Sequence, residues 1–217
     1  MKVLWTTNAV IGDMCEKENI PHPTGGGWME VLLDNLSKET KDEIVVLTTT
    51  KINRMSYLKK GNISFYLLPC GHLGGLKYTN KKVNIYIKKV LEIEKPDLIH
   101  IWGTEYQFPL AVINCMGNLP TIIHIQGVMS TISRYCYAGM DRAEIRRAVS
   151  IRDIIRLDTI NSQKKKFEKQ ALLENEMLSK VGNIIVENTW KEALCKSVNR
   201  NLKVTCPQNI YHFSVEI

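Results

Sequence analysis

Short apolar runs alternate with helix-period stripes along almost the whole chain. Residues 3–6, 44–49, 63–68, 98–102, 121–125 and 184–186 are continuous apolar or β-branched runs, the pattern of strands buried on both faces. Residues 202–205 add a last short strand. Between them, Met29, Leu32, Leu33 and Leu36 line one face of a helix over about 28–40. Val83, Ile87, Val90 and Leu91 do so over about 77–94. Pro109 suits the first turn of a helix that stops at Gly117-Asn118. Thr189 and Glu192 have the spacing of a capping box that opens another, reaching about residue 198.

Strand, helix and strand in repetition predict an α/β fold with a doubly wound, mostly parallel sheet of six or seven strands. Ligands bind such sheets beyond the carboxyl ends of the strands. That rule selects four loops: residues 7–27, 69–76, 102–107 and 126–140. Residues 141–180 break the rhythm with two predicted helices and no strand between them. The first opens at Asp141 and Glu144; the second spans about 162–180 and stops at Gly182.

Composition adds bounds. The chain has 217 residues, 44% hydrophobic and 24% charged, which suits one α/β domain with a sizeable core. No apolar run is long enough to cross a membrane, and the opening Met1-Lys2-Val3-Leu4-Trp5 turns polar too soon for a signal peptide. The cysteines at 15, 70, 115, 136, 195 and 206 form no CxxC pair, the usage of reduced thiols in a cytoplasmic protein. A net charge of +7 suits an anionic partner, a nucleotide phosphate or a membrane surface. No nucleic-acid-binding module is present.

Three features carry chemistry. Thr24-Gly25-Gly26-Gly27-Trp28 precedes a helix whose free N–H groups favour an anion, although the spacing is neither that of a dinucleotide fingerprint nor that of a P-loop. A turn without ligand is the alternative. His100 and His124 each fall near the carboxyl end of a predicted strand, followed by Gly103-Thr104-Glu105 and Gln126-Gly127. Histidines there bond a substrate hydroxyl or move a proton; otherwise they are core histidines satisfied by backbone. Glu105 either orients a hydroxyl or favours a helix start. Between residues 141 and 169 lie nine basic residues, Arg142, Arg146, Arg147, Arg152, Arg156, Lys164, Lys165, Lys166 and Lys169, with Ile145, Val149 and Ile155 among them. They form either a face for an anionic membrane or a solvated helical surface.

Taken in order, these segments resemble a known family. Gly25-Gly26-Gly27-Trp28 before an amphipathic helix, Pro96-Asp97-Leu98-Ile99-His100-Ile101, Pro120-Thr121-Ile122-Ile123-His124-Ile125-Gln126-Gly127, and Gly182-Asn183-Ile184-Ile185-Val186-Glu187-Asn188-Thr189-Trp190 are similar to GT-B glycosyltransferases of family four, of the bacterial polysaccharide-assembly kind. The resemblance implies the acceptor-side Rossmann-like half of such an enzyme, cytoplasmic or peripheral at the inner membrane face. It implies retaining transfer from a nucleotide-sugar donor to a glycan or lipid-linked acceptor, with no cofactor and no bound metal. Gly25, Gly26 and Gly27 would approach the donor phosphate and reacting centre, and His124 the transferred sugar. His100, Glu105, Gln126 and Gly127 fall on the acceptor side. A donor-binding second domain is expected beyond residue 217, for an intact length of about 350–420 residues. Glu187-Asn188 stand where a Gly-Arg pair is common in that family, which leaves a basic contact missing. Two alternatives stay open: an epimerase or hydrolase of the same fold, and a non-catalytic glycan-binding or partner-docking domain.

Overall fold

A computed structural model describes residues 1–23, 27–69 and 81–207. Eight strands form one sheet: β1 (Lys2–Thr6), β2 (Glu43–Thr50), β3 (Ser56–Lys60), β4 (Ile63–Pro69), β5 (Leu98–Trp102), β6 (Thr121–His124), β7 (Asn183–Ile185) and β8 (Lys203–Thr205). Their order is β3-β4-β2-β1-β5-β6-β7-β8, parallel except where β3 pairs antiparallel with β4 at one edge. The expected doubly wound α/β class is therefore observed, with one strand more than periodicity predicts. Sequence order runs outward in opposite directions from β1, so the sheet reverses between β1 and β5. That reversal is the switch point beyond which ligands bind in open α/β sheets.

Strand side chains alternate between two cores. Leu4, Val45, Leu47, Leu68, Ile99, Ile101, Ile123 and Ile184 face one. The helices α3 (Lys81–Glu94), α4 (Phe108–Ile113) and α8 (Ile160–Lys180) cover it, bringing Val83, Ile87, Phe108, Val112, Met177 and Leu178. Trp5, Val46, Phe65, Leu67 and Trp102 face the other, against α1 (Gly12–Glu18) and α2 (Gly27–Glu39) through Met14, Cys15, Met29 and Leu33. The period of two thus places Trp5, His100, Trp102 and His124 on the α1–α2 face.

Several expected loops contain helix. Residues 7–27 hold α1, and 126–140 hold α5 (Met129–Tyr135). The segment expected to carry two helices before β7 carries three: α6 (Arg142–Arg147), α7 (Ile151–Ile155) and α8. Asp141 and Glu144 do form a capping box at α6, and Ser150 with Asp153 forms a second one at α7. Thr159 caps α8, which begins at Ile160, two residues before the predicted start. α9 (Thr189–Val198) is capped by Asn188, one position before the residue the spacing suggests. The predicted 77–94 helix is seen from Lys81; its first residues lie outside the described ones, as do Cys70 and most of the 69–76 loop.

Candidate functional site

The carboxyl ends of β1, β5 and β6 meet in an aromatic and imidazole cluster. Register sets it: Trp5 pairs with His100, and Trp102 with His124. Trp102 lies at the centre. His100 stacks on it at 4.1 Å between ring centroids, while His124, Trp5 and Trp28 lie at 4.8, 5.1 and 5.1 Å. Trp28 is the second residue of α2, so the start of that helix reaches His124 through a single intervening ring. Gly25 and Gly26 lie outside the described residues; Gly27 opens α2, with free space where a Cβ would stand.

The two histidines differ in layer. His100 is two residues below the strand tip, beneath the Trp102 indole, and its Nε2 is buried without a partner among the described residues. Burial, reinforced by His124, holds its pKa down to about 3. His124 is level with Trp102, at the last residue of β6. Burial lowers its pKa as well; Glu187 opposes that shift and Lys191 adds to it. Its Nε2 faces a Glu187 carboxylate oxygen at 3.9 Å, and its Nδ1 is buried and unpartnered among the described residues. At neutral pH both rings are uncharged, and a neutral imidazole offers one donor and one acceptor.

Glu105 joins three loops. One carboxylate oxygen accepts from the Gly127 backbone N–H at 3.0 Å, the other from Asn8 Nδ2 at 3.2 Å. Its own carbonyl accepts from Gln170 Nε2 at 2.5 Å. Burial raises its pKa; bonds from backbone N–H groups and the Lys191 charge oppose the rise. Gly103 makes the approach feasible. It stands at φ +85°, and a Cβ there would fall 2.2 Å from a Glu105 carboxylate oxygen. Asn8 Nδ2 also donates to the Trp102 carbonyl at 3.2 Å, which fastens the β1 loop to the β5 tip across the switch point.

Sequence reasoning missed two participants. Glu174, buried on α8, accepts from Thr104 Oγ1 at 2.6 Å and from the Met129 N–H at 2.9 Å, tying the β5 loop to the start of α5. Lys191, in the first turn of α9, donates to the Gln126 carbonyl at 2.6 Å and pairs with Glu187. A cation therefore stands beside His124, four residues after Glu187, although the motif comparison left that neighbourhood without one. The i, i+4 spacing of Glu187 and Lys191 is the one trace of it in the sequence.

A cavity of about 330 Å³ opens at this place, lined by Asn8, Trp28, Trp102, Glu105, Tyr106 and Gln126 among others. It lies at the low end of ligand-pocket sizes, about 300–1,000 Å³. A larger one, about 440 Å³, lies beside α1, α2 and the start of β4. Asp13, Glu16, Glu30 and Asp34 in its wall repel an anionic ligand, and its Lys60 is already paired with Asp13. Among the described residues, no group of three or more His, Cys, Asp or Glu side chains is placed to hold a metal ion.

The basic residues lie elsewhere. Arg142, Arg146, Arg147, Lys165 and Lys166 are exposed on α6 and α8, while Lys164 pairs with Glu168 and lies over the Tyr137 ring. Ile145, expected among the apolar partners of that face, is buried and anchors α6 to the body instead.

No family model matches the chain, and no curated protein matches it. Among solved structures it is similar to a sucrose-phosphate synthase from Thermosynechococcus elongatus, with a TM-score of 0.55 at 10% identity, over 95% of this chain and 47% of that one. The chain spans about half the length of that structure, and what the two share at this identity is the α/β fold with its mostly parallel, helix-flanked sheet.

Proposed function

We propose that the chain is the acceptor-side half of a GT-B glycosyltransferase of the family-four type, transferring a sugar from a nucleotide-sugar donor to a glycan or lipid-linked acceptor with retention. The observation that carries this reading is the switch-point cluster. A neutral imidazole, an aromatic wall and the start of a thirteen-residue helix meet at the carboxyl ends of a parallel sheet. The likeness to about half of a sucrose-phosphate synthase supports it at the level of fold.

In this scheme the donor diphosphate faces the start of α2. Negative charge grows on it as the anomeric carbon–oxygen bond breaks, and the helix N–H groups and dipole favour that charge. Lys191 adds a positive field from the other side, although Glu187 neutralises part of it. His124, uncharged, bonds a hydroxyl of the transferred sugar and lends no positive charge that would oppose an oxocarbenium-like centre. The leaving phosphate takes the proton of the acceptor hydroxyl. Glu105, with both carboxylate oxygens engaged by the protein, holds the loops in place and leaves the contact with the acceptor to Tyr106 and Gln126. The donor base and sugar are held by a second domain.

The test measures nucleoside diphosphate released and glycoside formed by the protein joined to its second domain. His124→Ala lowers kcat about 100-fold, the usual range for loss of one positioned hydrogen-bonding group at the transition state. An unchanged kcat removes His124 from the scheme. Donor consumed with no new glycoside sinks sugar transfer itself in favour of hydrolysis or epimerisation. The 217-residue chain alone is expected to turn over negligibly.

A further inference from the structure

The segment 142–157 carries an apolar surface that the described residues leave uncovered. Ile151, Ile154, Ile155 and Leu157 are 78%, 58%, 77% and 80% exposed, and α7 buries no residue at all. Single exposed aliphatics are ordinary on protein surfaces; four within seven residues make a contiguous patch of the kind that marks an interaction surface. Leu157 adds a second anomaly. It follows the α7 C-cap at φ +53°, a position where glycine or asparagine is usual and leucine is strained. At 80% exposure its side chain packs against little among the described residues to offset that cost.

The patch also precedes the buried part of α8. That helix buries residues only from Gln170 onward; its first half is exposed or half-buried, with Asn161 accepting from the Tyr137 hydroxyl and Lys164 over the Tyr137 ring. Charge then selects the occupant. Residues 141–169 contain nine basic and five acidic side chains, a net +4. Three of the acids, Asp141, Glu144 and Asp153, are turned to backbone N–H groups in the two capping boxes. Arg152 and Arg156 alternate with the exposed isoleucines, and Arg146 and Arg147 precede them. A second copy docked face to face would set these arginines against one another. A protein partner would need carboxylates matched to each of these arginines around an aliphatic centre. A bilayer interface takes both: aliphatic side chains below the headgroups, guanidinium groups on the phosphates. Among the described residues no helix is long and apolar enough to cross a membrane, so the contact is made in the plane of the interface.

We propose that α7 and Leu157 form an insertion tip by which this domain docks on an anionic lipid surface, with Arg146, Arg147, Arg152 and Arg156 as its electrostatic collar. Binding is read without turnover, so its outcome is separate from that of the sugar-transfer test.

The experiment is sedimentation of the 217-residue chain with mixed phosphatidylglycerol–phosphatidylcholine vesicles and with phosphatidylcholine alone. The chain is expected to sediment with the mixed vesicles, weakly with the neutral ones, and to be released by high salt. Ile151→Ser, Ile154→Ser, Ile155→Ser and Leu157→Asn combined should weaken binding about tenfold or more at unchanged far-ultraviolet circular dichroism, since none of these side chains is buried. Each arginine changed to Gln should cost about fivefold. A separate Ile155→Trp variant should gain quenching by brominated lipid that the parent, with its own tryptophans, lacks. Equal sedimentation of parent and apolar variant overturns the insertion tip, as does absence of binding to mixed vesicles. So does a dimer in analytical ultracentrifugation that the apolar substitutions dissociate, which would assign the surface to a second copy.

Discussion

His100 and His124 look alike in the sequence, yet two residues of register separate their chemistry. His124 ends its strand, beside a carboxylate and a lysine; His100 lies beneath an indole, with its Nε2 unpartnered among the described residues. Folding holds His100 neutral down to about pH 3, whereas an unfolded histidine protonates near its ordinary value of about 6.5. Between those values the unfolded chain binds the extra proton, so stability contributed by neutral His100 is lost as pH falls through that window. His100→Phe keeps a ring against Trp102 and removes the titration. The fall in unfolding free energy from pH 7 to 4.5 should shrink by up to about 2–3 kcal/mol relative to the parent. Glu105 and Glu174, raised by burial, have the opposite slope just above the ordinary carboxylate range, and the comparison with the parent cancels them. Urea denaturation at several pH values decides the matter. Parallel stability curves for the two proteins would show that His100 is protonated in the folded state as readily as in the unfolded one.

Among the elements, the β5 loop bears the closest contacts. Gly103 donates its N–H to the His124 carbonyl at 3.0 Å, and its missing Cβ leaves space for Glu105 and Asn8. Gly117 also has positive φ, but nothing lies near its missing Cβ. Gly117→Ala should therefore cost only the left-handed penalty, about 1–2 kcal/mol. Gly103→Ala adds displacement of the Glu105 carboxylate and should cost about 2 kcal/mol more. Equal losses in thermal unfolding would mean that the Glu105 contact is not what Gly103 protects. The same loop shows where sequence reading stops. Buried strands such as β2 were legible because Ile44 to Leu47 is a run that only a two-sided core explains. β3 was not, because Ser56–Lys60 is a short edge strand with three of its five residues exposed. α5 was hidden because its first turn is completed by Glu174, 45 residues away. His124 was visible as a polar residue ending an apolar run. Trp102 read as one more apolar strand residue, and Lys191 acquires its place only when β6 and β7 pair. Long-range partners define those roles, and spacing along the chain does not encode them.

At the scale of the molecule, burial is uneven in a way that separates a rigid site from a loosely held appendage. The strands around the switch point are buried on both faces, and Glu105, Asn8, Thr104 and Glu174 stitch their loops to one another. In contrast, α6 is anchored by Ile145 alone and α7 by no buried residue. Local opening costs little where few apolar contacts are broken, and approaches the global free energy where the core must part. Amide hydrogen exchange should therefore divide the described residues into two classes. Those of β1, β2, β5 and β6 should exchange slowest. Those of α6 and α7 should exchange first, although their capping boxes keep them helical on average. Anionic vesicles should slow the α7 amides selectively and leave the sheet unchanged, because docking removes water from the exposed helix without altering the core. If α7 instead exchanges as slowly as β5 in the free protein, something in the chain covers those isoleucines and the appendage is part of the packed body. If vesicles slow the sheet and α7 together, the lipid is stabilising the whole fold and has not bound at a tip.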